Sequence, residues 1–130
     1  MKKVKNFLAA SGLIFPLLLL SGCVLFLVGA GVAGGVAISK DTIEGHTEKS
    51  LDRVYKASRE VVMDEGFIRL EDKTHGIIES EVRKSEVKIE IRQITDKTVR
   101  IQVKARKGMK LVPNPALANE LYNKIAQRIR

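Results

Sequence analysis

One thiol, two imidazoles and a scatter of basic side chains are the groups from which this sequence can build a functional site. The thiol is Cys23, the only cysteine in 130 residues. A lone cysteine excludes an internal disulfide and a Cys-based zinc site, and leaves a nucleophilic sulfur to which another group can be attached. His46 and His75 are the only side chains whose ordinary pKa lies near neutrality, so a hydrolase or transferase would need one of them as its base. His75 is the better placed, within Glu71-Asp72-Lys73-Thr74-His75-Gly76, where neighbouring carboxylates can orient an imidazole or share a metal ion with it. The same string has the composition of a polar hairpin turn. We read it as a turn, and assign no catalytic residue and no metal site.

Two further patterns bear on ligands. Gly29-Ala30-Gly31-Val32-Ala33-Gly34 matches the dinucleotide-binding letters, but that loop must follow a strand and open a helix, with an acidic residue about 20 positions on. Here the string follows Cys23 and an apolar run in place of a strand, and no cofactor is expected. Arg92, Arg100, Lys104 and Arg106, with Lys107 and Lys110 beyond them, can gather on the solvent face of two strands as contacts for an anionic surface. Nucleic acid is not the expected partner, because Tyr55, Phe67 and Tyr122 are the only aromatics in residues 40–130 and base stacking needs more. Anionic lipid headgroups or an acidic envelope protein suit the patch better, each Lys or Arg near such a surface adding ~1 kcal/mol. The competing reading is a solvated sheet face neutralised by Glu86 and Glu90.

The elements that position these groups divide the chain sharply. Residues 7–38 hold no charged side chain, whereas residues 40–130 are densely charged. Lys2, Lys3 and Lys5 precede an apolar run over residues 7–20, and Ser21 and Gly22 are the small residues a signal peptidase accepts, which completes a three-part export signal. The run Leu20-Ser21-Gly22-Cys23 resembles the lipobox of bacterial lipoproteins. That resemblance implies recognition of Leu20, Ser21 and Gly22 by the peptidase, cleavage before Cys23, a diacylglycerol on its sulfur, and acylation of the new amino group. One fatty chain binds only marginally at ~0.8 kcal/mol per buried methylene, so two or three are what make such an anchor stable. Val24 stands where an aspartate would resemble an inner-membrane retention signal, which implies the periplasmic face of the outer membrane. Removing residues 1–22 lowers Lys+Arg from 23 to 20 against 15 Asp+Glu, a net charge of +5. An uncleaved membrane helix over residues 7–28 is the alternative, since ~20 apolar residues span a bilayer; Pro16 and Gly22 weigh against it.

Residues 24–38 form an apolar stretch broken by Gly29, Gly31, Gly34 and Gly35. As a helix of ~22 Å it falls short of the ~30 Å hydrocarbon core. Two readings stand, a flexible linker lying in the membrane interface and a helix packing through Ala30/Gly34 and Gly31/Gly35.

Beyond residue 40 the apolar spacing specifies a folded module. Ser50 caps a helix with Leu51, Val54, Ser58, Val61 and Val62 on one face, ended by Gly66. The period then becomes two: residues 67–71, a turn at 73–76, Ile78/Ser80/Val82, a polar break at 84–86, Val87/Ile89/Ile91, and Val99/Ile101/Val103/Ala105. Because the last two apolar sets are all odd-numbered, their loop must hold an odd number of residues, three or five, with a bulge around residues 94–98. Asn114-Pro115 opens a final helix with Leu117, Leu121, Ile125 and Ile129 in line. A stretch near residues 36–44 adds an edge strand. The expected fold is α+β, a two-layer sandwich with an antiparallel meander of four to five strands and two helices on one face.

Taken in order, the lipobox, the Gly/Ala-rich segment, the helix and the strands resemble a family of small bacterial lipoproteins that brings no activity, cofactor or catalytic residue to carry over. The expected organisation is a cleaved signal at 1–22, a lipid anchor and apolar tether at 23–39, and the α+β domain at 40–130. The expected role is a non-enzymatic envelope lipoprotein held to the membrane through Cys23 and acting by contact. The alternative is a module that binds a lipid or small amphiphile in a groove between helices and sheet.

Overall fold

The computed structural model describes residues 36–109 and 112–130. Along the chain these form β1 (Val36–Ala37), β2 (Thr42–Thr47), α1 (Leu51–Glu65), β3 (Gly66–Asp72), β4 (Ile77–Val82), β5 (Ser85–Gln93), β6 (Val99–Lys107), β7 (Val112–Pro113) and α2 (Pro115–Arg128). The sheet is open and antiparallel, in the order β1-β2-β6-β5-β4-β3, with β7 pairing β6 beyond the start of β2. Both helices pack on one face of it and against each other. The α+β two-layer architecture is therefore the expected one. Its five longer strands are joined by two two-residue strands, β1 and β7, and the single edge strand expected near residues 36–44 is instead β1 and β2, divided by a turn over residues 38–41.

Local chemistry accounts for each boundary. Ser50 accepts a hydrogen bond from the Arg53 amide at the start of α1, and Asn114 does the same for the Leu117 amide at the start of α2. Asn114 also donates to the buried Ser85 hydroxyl at 3.2 Å, which ties the start of α2 to β5. In α1 the buried face is Val54, Tyr55, Ala57, Ser58, Val61 and Val62. Leu51 does not join it and stays 40% exposed. Odd-numbered side chains of β5 and β6 and even-numbered ones of β4 meet both helices in a single apolar core, in which Ile78, Ile89, Ile101, Leu121 and Ile125 are almost wholly excluded from solvent.

The hairpins differ in detail from expectation. The polar break at residues 84–86 shrinks to Arg83 and Lys84, because Ser85 and Glu86 already pair with Val82 and Glu81 across the hairpin. Both turn residues have positive φ, 50° and 62°, the conformation a two-residue hairpin requires and one for which Asn-Gly is far better suited. The β5–β6 connection is the five-residue loop, with Gln93 opposite Val99. Its ladder runs unbroken to Ser85 opposite Lys107, so no bulge is needed there. The irregularity sits in β3 instead, where Arg69 is the extra residue between Ile68 opposite Ser80 and Leu70 opposite Glu79. The bulge keeps Ile68 packed against the core and Phe67 and Leu70 exposed.

Candidate functional site

Cys23, with Leu20, Ser21 and Gly22 before it, lies outside the described residues, as do residues 24–35 and Lys110. Among the described residues no helix is long and apolar enough to cross a membrane.

His75 occupies the turn between β3 and β4. Its Nδ1 lies 2.7 Å from one Asp72 carboxylate oxygen, and its amide donates to the other at 3.1 Å. Those contacts hold the Asp72 carboxyl below its ordinary value, the His75 side chain first among them. Gly76 closes the turn at φ 67°, its carbonyl accepting from the Ile91 amide at 2.8 Å. Glu71, the other nearby carboxylate, is spent on the Tyr55 hydroxyl at 3.1 Å and the Arg59 guanidinium at 3.0 Å. Burial, followed by that bond to Glu71, pushes the Tyr55 phenol up to about 12. The two Asp72 contacts order the turn. No three His, Cys, Asp or Glu side chains converge as metal ligands among the described residues.

The four basic residues assigned to an anionic surface do share the sheet face turned away from the helices, but as two separate pairs. Arg92 lies directly opposite Arg100, with His46 opposite Arg100 on its other side. Arg92 is drawn to Glu90 at 2.5 Å, and His46 sits 3.7 Å from Glu44. Lys104 and Arg106 converge at the other end on Asp41, Lys104 at 3.7 Å and Arg106 through a direct guanidinium hydrogen bond. Asp41 is the carboxylate that sequence reasoning missed. It is 5% exposed, accepts from Ser39 at 2.8 Å and Thr42 at 2.9 Å, and its carbonyl accepts from the Ala105 amide at 3.0 Å. It thereby fills the gap along β6 between β2 and β7. Burial alone would raise the Asp41 carboxyl, but donation from Ser39, Arg106 and Thr42, with the Lys104 charge, outweighs it and holds the group well below the usual carboxylate range. Glu86, expected to neutralise Arg106's neighbours, also meets Arg69 at 2.8 Å.

A second network joins the helices to the β4–β5 turn. Arg83 donates to both Glu120 oxygens, at 2.9 and 2.8 Å, and to Glu65 at 2.7 Å. Lys124 closes the ring through Glu65 and Glu120. Arg83 first and Lys124 second pull the Glu120 carboxyl down to about 2. These contacts compensate a side chain held in the left-handed region. No periodicity could have shown them, since Arg83 and Glu120 are far apart in sequence.

Among the described residues, two of the surface depressions have the size to take a ligand. One, of about 420 Å³, lies on the open sheet face between Arg69, Leu70, Glu79, Lys88, Lys104 and Arg106. The other is a shallow cleft between residues 48–51 and Gln93, Asp96 and Lys97. Neither is the groove expected between helices and sheet, where the apolar core is closed with side chains at 5% exposure or less.

No curated protein matches this chain. The family described as "Protein of unknown function (DUF3568)" matches residues 4–108, which take in the single cysteine and every element from β1 to β6, and this protein therefore belongs to that family.

Proposed function

We propose that this protein is a non-enzymatic envelope lipoprotein, anchored by lipid on Cys23 and acting by contact through the α+β module that follows. The observation that carries the reading is Leu20-Ser21-Gly22-Cys23 at the end of a basic and then apolar leader, with no second cysteine to give the thiol another use. On this reading residues 1–22 are removed, 23–39 serve as anchor and tether, and 40–130 face the periplasm, with Val24 favouring the outer membrane. The open sheet face, lined by polar and charged side chains, supports action by contact. The alternative, an amphiphile bound between helices and sheet, gains no support from a layer already filled by the core.

Intact mass of the protein purified from membranes tests the anchor. The expected mass lacks residues 1–22 and carries two or three acyl chains, and Cys23→Ser should be uncut and incorporate no labelled fatty acid. Retention of the leader without added chains refutes the reading. Partners captured from labelled membranes by the wild type and lost with Cys23→Ser would tie location to function.

A further inference from the structure

At one end of the module the most exposed apolar side chain lies beside lysines that have no ion partner among the described residues. At the end where β6 leaves the sheet, Met109 is 90% exposed, the most of any large apolar side chain described, and Val112 is 56% exposed. Ile38, in the turn leading into β2 at the same end, is 52% exposed. Gly108 and Met109 both have positive φ, 55° and 52°, so two consecutive left-handed residues turn the Met109 side chain outward from the end of the strand. Lys107 precedes them and pairs with Ser85 on one side and Val112 on the other, which brings Lys84 of the neighbouring turn alongside. Lys40 stands in the turn that delivers Asp41 to the edge of β6. Lys40, Lys84 and Lys107 are exposed, and none makes an ion pair or side-chain hydrogen bond among the described residues.

Most carboxylates at this end are held by other cations: Asp41 by Arg106 and Lys104, Glu65 and Glu120 by Arg83 and Lys124, and Glu86 by Arg69, while Glu81, opposite Glu86, makes no ion pair among the described residues. At the opposite end Lys49 and Lys97 are likewise exposed without an ion pair among the described residues, but the apolar side chains there, Leu51 at 40% and Ile94 at 49%, are less exposed than Met109. A protruding thioether ringed by free ammonium groups suits a surface that is anionic on the outside and apolar just beneath. A bilayer containing anionic phospholipid is such a surface: the lysines meet headgroup phosphates, and Met109 and Val112 enter the interface. A flat protein surface would supply the charge without the apolar layer beneath it.

We propose that this end of the sheet, with Lys40, Lys84 and Lys107 around Met109, docks on the anionic phospholipid of the membrane that holds the chain. The docking rests on the anchored reading above, which keeps the module within reach of that surface. It moves the lipid contact away from Lys104 and Arg106, whose charges meet Asp41.

The test uses the full chain purified from membranes, with Met109→Cys labelled by an environment-sensitive fluorophore, in phosphatidylcholine vesicles with or without phosphatidylglycerol. An acylated Cys23 sulfur does not take the label, and Ile94→Cys at the opposite end is the control. Emission from position 109 should shift to the blue with phosphatidylglycerol only, and emission from position 94 should not. Lys84→Gln with Lys107→Gln should weaken docking about 25-fold, a factor of about five for each lysine. No shift at 109 in protein that floats with the vesicles overturns the docking and leaves the anchor standing. Equal shifts in both lipids, indifference to the lysine substitutions, or a shift that needs added membrane protein also overturn it. Protein that lacks acyl chains by mass sinks the anchored reading, while emission of the same chain added to the vesicles still decides the docking.

Discussion

Replacing Asp41 by asparagine should loosen the edge where the chain joins its sheet, and the size of the effect follows from the contacts. The substitution keeps the shape and leaves one carbonyl oxygen for Ser39 and Thr42, which both donate to Oδ1 at 2.8 and 2.9 Å. The position facing Arg106 then carries either a neutral acceptor or an N–H donor set against a donor. A hydrogen bond to a charged group contributes ~1.5–3 kcal/mol. The Arg106 side chain is 39% exposed and regains water when released, so the lower half of that range applies. Lys104, at 3.7 Å and 45% exposed, adds well under ~1 kcal/mol. About 2 kcal/mol in total corresponds to a Tm lower by about 10 °C for a domain of this size. The pH dependence gives the sharper test. The folded carboxyl lies below its unfolded value of ~3.9, so its contribution is complete above about pH 5 and is lost as pH falls through the folded value. Thermal unfolding followed by circular dichroism should therefore show a gap between wild type and Asp41→Asn that is full at pH 7 and narrows below about pH 4. Hydrogen exchange should quicken at the Ala105 amide, whose acceptor is the Asp41 carbonyl, before it quickens in the β4–β5 ladder. A gap under ~2 °C at pH 7, or one that stays constant into acid, refutes the assignment of Asp41 as the staple.

Two other substitutions probe close contacts and strain. A Cβ at Gly45 would lie 1.7 Å from the Tyr122 hydroxyl oxygen and 2.3 Å from the ring carbon that bears it, so Gly45→Ala should cost ~3 kcal/mol by overpacking. Tyr122→Leu in the same chain should recover part of that loss in a double-mutant cycle of chemical denaturation, and a simple sum of the two costs would contradict the contact. Lys84→Gly removes a left-handed side chain worth ~1 kcal/mol, partly offset by glycine's greater freedom when unfolded, so the Tm should rise by a few degrees. Arg83→Gly should lower it, because the guanidinium bonds to Glu65 and Glu120 go with the strain.

The elements of this protein could be read from its sequence because they rest on local repetition. Alternation along Val87/Ile89/Ile91 and Val99/Ile101/Val103, a spacing of four along Leu117/Leu121/Ile125, and caps at Ser50 and Asn114 each draw on residues within a turn or two of one another. Parity alone required an odd loop between β5 and β6, because side chains on a strand alternate strictly and a one-residue slip would expose all of them. The string Leu20-Ser21-Gly22-Cys23, on which the proposed anchor rests, is likewise contiguous in the chain. What the periodicity could not contain is who meets whom across the chain. Asp41 finds Arg106 across 65 residues, Glu65 finds Lys124 across 59, and Gly45 is glycine because a tyrosine in the last helix occupies its space. The isolation of Lys84 and Lys107 beside a projecting Met109 belongs to the same class, because whether a charge is free depends on every carboxylate that folding brings near. Backbone order is written in neighbours along the chain, whereas the partners of buried and charged groups are chosen only when strands and helices close on one another.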